Sequence, residues 1–245
     1  MGEGGATMSD KIRARAVIFD LDDTLFAWSP CDTAACHAVH LRLAASYALT
    51  RERFDELYDQ ARAMLKERMP TQAARHNRVL FFQHIVQQVC GSPRPSLVSE
   101  VDDLYWKVFL DAAEPNRAAH AVLEEASRQV PIAMLSNHTA GPQLKKLRAL
   151  KMDPYFHCVM TSEEAGVEKP DPAIFQQVLR RLGVAAADAV MVGNHPTLDI
   201  LGAHKVGMAT VHSREYDTRT APEGAADAVI HKLSELWDVL TLEPS

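Results

Sequence analysis

The stretch AVIFDLDDTLF, residues 16–26, constrains the fold more than any other part of the chain. Four apolar residues, Ala16 to Phe19, run straight into Asp20, Leu21, Asp22 and Asp23. A short apolar run without polar alternation predicts a strand buried on both faces. Three acids directly behind a buried run are costly without a counter-charge. The fold must therefore bring cations to the end of this strand.

The rest of the chain shows what surrounds that strand. From about residue 115 onward, strand-like runs alternate with helical spacing. Strands are expected over 130–136, 156–162, 188–194 and 208–213, and helices near 116–128, 143–151, 172–182 and 198–206. A last short strand and a closing helix are expected in DAVIHKLSEL. Such alternation implies an α/β fold: a doubly wound, mostly parallel sheet covered on both faces. Between the first strand and this array the pattern is helical throughout. Thr50 can cap a helix whose face carries Phe54, Leu57, Tyr58, Ala61, Met64 and Leu65. Gly91 is a plausible stop for the next helix, and SPRPS a linker. The expected organisation is a flexible lead-in over 1–14, a sheet domain built from 15–28 and 115–245, and an inserted all-helical domain over 29–114.

Bulk properties exclude several classes. The 245 residues are 47% apolar and 24% charged, ordinary for a globular protein. The net charge of −6 disfavours binding nucleic acid by bulk attraction. Lys145, Lys146 and Arg148 form a basic cluster that a helix surface explains better than a phosphate track. No apolar run approaches the ~20 residues of a membrane span, and the first residues lack the apolar centre of a signal peptide. Cys31, Cys36, Cys90 and Cys158 form no zinc spacing, which suggests free thiols and a cytoplasmic location. The sequence does not specify an oligomeric state.

In open α/β sheets, ligands bind outside the carboxyl ends of the strands. The polar residues fall there. The first strand ends in Asp20, Asp22, Asp23 and Thr24, the second in Ser136, Asn137 and His138. The third is followed by GVEKPDP with Lys169, and the fourth by Gly193, Asn194 and His195, with Asp199 shortly after. Asp20 and Asp22 are two apart, so in extended chain their side chains point the same way. Close like charges must be offset by cations or by a proton. Mg2+, which prefers oxygen ligands, can supply one cation, and Lys169 another. Two carboxylates with a divalent ion and an ammonium suit an anionic substrate such as a phosphate ester. One carboxylate would attack phosphorus and the other protonate the leaving oxygen, while the cations neutralise the transition state.

FDLDDTL, LSN, VEKPDPAIF and VGNHPTLDILGAHKVGM resemble, in order, the four motifs of the haloacid dehalogenase-like (HAD) hydrolase superfamily. The resemblance extends from Ala16 to the last helix. It implies a Rossmann-like core, with the helical insert as a C1-type cap. It also implies that Asp20 is the nucleophile of an aspartyl-phosphate mechanism. Asp22 would be the general acid/base, with its carbonyl on Mg2+. Ser136 would hydrogen-bond the phosphoryl group, and Lys169 would hold nucleophile and phosphate together. Thr24 and Asn137 are candidate substrate-binding residues, each with a purely local role also open. The implied metal set is Asp20, Asp22, Asn194 and Asp199. Asn194 departs from the family pattern, where an acid is usual, and predicts weaker Mg2+ binding.

The expected function is Mg2+-dependent hydrolysis of a small phosphorylated metabolite. A dehalogenase is the alternative within the fold, although halide needs no proton and family dehalogenases usually lack an acid at the position of Asp22. A HAD-fold ligand-binding protein with weak or lost turnover is the other. Trp28, His138 and His195 can face the crevice. Arg75, His76 and Arg78 either bind a second anionic group or, as the preferred expectation, form a solvated helix start.

Overall fold

The computed structural model describes residues 11–244. Two short strands come first, β1 (Ile12–Ala14) and β2 (Ala16–Phe19). Four helices follow: α1 (Trp28–Ala44), α2 (Arg51–Arg68), α3 (Arg78–Cys90) and α4 (Pro95–Asp111). The chain then alternates through α5 (Ala119–Gln129), β3 (Ile132–Ser136), α6 (Ala140–Ala149) and β4 (Cys158–Thr161). After these come the single turn α7 (Ser162–Ala165), α8 (Pro172–Leu182), β5 (Ala189–Gly193), α9 (Gly202–Lys205) and β6 (Ala209–Ser213). The chain closes with β7 (Ala228–Ile230), α10 (Leu236–Val239) and β8 (Leu240–Leu242).

Six strands form one sheet in the order β4-β3-β2-β5-β6-β7, and every pairing is parallel. The fold is α/β, a doubly wound sheet with a helical insert after its first strand. All four residues of β2 are fully buried because the strand is central and covered on both faces. Val17 and Phe19 enter one apolar cluster, which continues into Phe54, Phe82 and Phe109 of the helical block. Ala16 and Ile18 enter the other, against Ile174, Phe175 and Val178 of α8. The chain moves outward from β2 through β3 to β4, then returns to β5 on the other side of β2. That reversal opens a crevice beyond the carboxyl ends of β2 and β5.

Local signals set the helix ends. The Thr50 hydroxyl accepts from the Arg53 N–H at 3.2 Å, and Asp171 caps α8 through the Ala173 N–H at 2.8 Å. α8 stops at Gly183, whose φ of +69° is left-handed.

Two expectations are corrected. The flexible lead-in is expected over 1–14. Residues 1–10 lie outside the described residues, but Ile12–Ala14 is a strand, paired in parallel with Leu240–Leu242. Pairing satisfies its backbone, and Ala14 is buried against the first core cluster. The partner segment lies more than 220 residues away, so no local pattern announced it. The second correction concerns the chain end: α10 does not close it, since β8 follows.

Candidate active site

Asp20 follows β2, and its carboxylate is buried at the sheet rim. Lys169 lies in the loop between α7 and α8 and is 3% exposed. Its Nζ donates to Asp20 Oδ1 at 2.6 Å, to Asp199 Oδ1 at 2.6 Å and to the Leu135 carbonyl at 2.9 Å. The ammonium's three donors are thereby used, which is what keeps a buried lysine charged. Burial works against that charge, but Asp199 and Asp20 outweigh it and hold the lysine above its ordinary pKa. Burial pushes the Asp20 carboxyl up to about 7, although Lys169 pulls it down.

Asn137 fixes the lysine loop. Its side chain accepts from the Lys169 N–H at 2.7 Å and donates to the Lys169 carbonyl at 2.8 Å. Asp199 sits in a π-helical turn, Pro196–Leu201, and its second oxygen accepts from the His195 N–H at 2.9 Å. A Cβ at position 193 would lie 2.6 Å from the Asp199 carboxyl, so only glycine fits there. Thr24 Oγ1 reaches both Asp20 Oδ2, at 3.4 Å, and Asn194 Oδ1, at 3.5 Å. Asp23 is half-buried and takes the Trp28 N–H on its carboxylate at 2.8 Å. The cavity here, about 250 Å³, is lined by Asp20, Asp22, Ser136, Asn137, Lys169, Asn194 and Asp199, with Trp28, His76, Arg78 and His138 on the side of the helical block.

The structure changes the expectations at three places. Lys146, expected on a helix surface, is fully buried. Its Nζ donates to both oxygens of Asp22, at 2.6 and 2.9 Å, and lies over the rings of Phe26 and Phe109. Gln143 Nε2 donates to Asp22 Oδ2 at 3.1 Å and also to Ser136 Oγ. A signal existed: 143, 146, 147 and 150 share the inward stripe of a helix, and a glutamine and lysine there need polar partners. Arg78, expected at a solvated helix start, is only 6% exposed. Its guanidinium hydrogen-bonds the Tyr105 hydroxyl at 3.1 Å, lies 3.6 Å from Asp32 and packs on Phe81. Arg75 and His76 are half-buried and meet Glu168, next to Lys169, at 2.5 and 3.2 Å. Asp217 and Arg219, also unforeseen, pair at the rim, where Asn194 Nδ2 contacts Asp217 Oδ2 at 3.4 Å.

The metal expectation meets a mixed set of donors. The Asp22 side chain is held by Lys146, and Asp199 commits both oxygens to Lys169 and the His195 N–H. Among the described residues no cluster of three His, Cys, Asp or Glu side chains is placed to hold an ion. What remains is Asp20 Oδ2, the Asp22 carbonyl and Asn194 Oδ1. All are oxygens, as a hard divalent cation requires. The Asp20 and Asn194 oxygens converge on one hydroxyl, that of Thr24. The donor chemistry fits Mg2+ with one carboxylate in the set.

A family model described as haloacid dehalogenase-like hydrolase matches residues 14–207. A ribulose-1,5-bisphosphate 5-phosphatase of Halopiger xanaduensis is 38% identical over 93% of this chain and 100% of its own length. A glyceraldehyde 3-phosphate phosphatase of Methanopyrus kandleri is 32% identical over 82% of this chain and 84% of its own. Among solved structures, a 2-haloacid dehalogenase from Pseudomonas syringae superposes with a TM-score of 0.74 at 28% identity, covering 92% of this chain and 97% of the other. A HAD phosphatase from Thermococcus onnurineus gives 0.69 at 24% identity, covering 91% and 95%.

Proposed function

The chain belongs to the haloacid dehalogenase-like hydrolases, and from that premise we propose that it is a phosphatase that hydrolyses a small phosphorylated, sugar-derived metabolite through an aspartyl-phosphate. One observation carries the reading. Lys169 holds one oxygen of Asp20 in place and leaves the other, Oδ2, at the cavity with only a weak donor. Asp20 Oδ2 would attack phosphorus as the ester P–O bond breaks. The leaving oxygen would take a proton from Asp22. Water would then attack phosphorus, return a proton to Asp22 and free phosphate and Asp20. Lys169 would balance the charge gathering on the phosphoryl oxygens. Ser136, its hydroxyl already met by Gln143, would hydrogen-bond the same group. Lys146 and Gln143 would orient Asp22 until the leaving group needs it.

The Asp22 carbonyl and Asn194 would hold Mg2+ beside the Asp20 carboxylate, where its chemistry when bound is to neutralise the substrate phosphate. Asp199 would act through Lys169. The relatives' names point toward small phosphorylated sugars, and Asp22 favours ester over halide leaving groups. The weak-turnover alternative rests on Asn194 alone. Hydrolysis of p-nitrophenyl phosphate with and without Mg2+ tests the proposal. Metal-dependent turnover lost in Asp20→Asn is expected. Tight binding of phosphate esters without turnover would favour the ligand-binding protein instead.

A further inference from the structure

Beside the catalytic cavity lies a second one of about 330 Å³, and the two share Trp28, His76 and Arg78 as lining. Its other polar lining residues are all basic: Arg62 and Lys66, one turn apart on α2, and Arg75. No acid lines it. Trp28 and Phe81 give it apolar walls. We propose that this cavity is a subsite for a second phosphate group of the substrate, so that the enzyme acts on a bisphosphorylated small metabolite, with one phosphate at Asp20 and the other at Arg62 and Lys66. The inference rests on the phosphatase reading and adds the substrate class.

Charge balance supports it. Arg75 is paired with Glu168 and Arg78 with Asp32. Elsewhere on α2, Arg51 reaches Asp55 and Arg53 reaches Glu56. Arg62 and Lys66 make no ion pair among the described residues, and Arg62 instead lies over the Tyr58 ring at 5.5 Å. Four cations against two carboxylates leave two positive charges unbalanced. A phosphate monoester carries a charge of about −2 at neutral pH and three acceptor oxygens. Arginine and lysine are the side chains that bind it. Such a subsite also fixes the substrate's orientation, since the other phosphate is then the one delivered to Asp20.

The probes are pentane-1,5-diol bisphosphate and 1-pentyl phosphate, compared by phosphate release from the full chain. The bisphosphate is expected to have a KM lower by about tenfold or more. The double variant Arg62→Gln, Lys66→Gln is expected to reduce that preference to near one, whereas Lys66→Arg keeps it. Arg62 and Lys66 are exposed, so both variants should stay folded, which thermal melting checks. Turnover of both esters without preference overturns the subsite and leaves the phosphatase reading standing. A preference that survives the double variant overturns its assignment to these residues. Turnover of neither ester overturns the phosphatase reading. Calorimetric binding then decides the subsite: tighter bisphosphate binding, lost in the double variant, supports it, and equal binding of the two esters removes it.

Discussion

Two buried ion networks border the same cavity, and they are balanced differently. On the sheet side, Asp20, Asp22 and Asp199 face Lys169 and Lys146, three carboxylates against two ammoniums. On the helical side, Arg78 faces Asp32. The Tyr58 hydroxyl donates to Asp32 Oδ1 at 2.9 Å, the Tyr105 hydroxyl donates to the same oxygen at 2.5 Å, and both rings stay protonated well above the usual tyrosine range because burial disfavours phenolate. The second network is neutral and closed. It ties α1, α2, α3 and α4 together, and its loss is a matter of stability. The first lacks one positive charge and leaves an Asp20 oxygen barely partnered. It is poorly satisfied by itself and well suited to a cation and a phosphate. Unsatisfied buried charge marks where chemistry is done, and satisfied buried charge marks where the fold is held.

Substitutions can separate the two. Asp20→Asn is expected to lower turnover of any ester by about 10³-fold or more, without loss of secondary structure by circular dichroism. Arg78→Met should leave Asp32 uncompensated and cost roughly 3–5 kcal/mol in urea unfolding. Adding Asp32→Leu to that variant should restore most of the loss, and an undiminished deficit would show the helical network is more than a balanced pair. Lys146→Gln releases Asp22. Alkyl phosphates, whose leaving oxygen needs a proton, should slow by about tenfold more than p-nitrophenyl phosphate. Equal slowing would mean that Lys146 merely packs. Asn194→Asp restores a charge to the oxygen set, and the Mg2+ concentration for half-maximal activity should fall severalfold; an unchanged requirement would take Asn194 out of that set.

A pH dependence of stability follows from Asp20 itself. Its folded pKa is about 7 against an ordinary 3.8, so between these values the folded protein holds a proton that the unfolded chain has released. Stability of the metal-free protein should therefore fall as pH rises through this window. Asp20→Asn lacks the group. It should melt above the parent at pH 7 and converge with it near pH 4. A constant gap across the window would place the unfavourable charge elsewhere.

Parts of this were legible in the chain. The central strand, the helical insert and the alternation that follows are each written in local periodicity. So are the strand-end positions of Asp20, Ser136 and Asn194, because an apolar run that stops in polar residues shows its end directly. Lys146 was not legible as a buried cation, because a lysine between polar neighbours resembles surface until its helix is rotated against the sheet. The burial of Arg78 was hidden for the same reason, since only packing by Phe81 and Tyr105 covers it. β1 and β8 escaped because three-residue strands carry almost no pattern and their partners are far apart in sequence.

By itself the sequence determined the fold class, the family and the acids and lysine that meet at the sheet rim, because those depend on short-range patterns of apolar and charged residues. Only the tertiary structure decided which cation serves which acid: Lys169 for Asp20 and Asp199, Lys146 for Asp22, Arg78 for Asp32. Those pairings join residues 30 to 124 or more positions apart, or depend on helix rotation, and Coulomb attraction between buried groups is set by distance in space rather than along the chain.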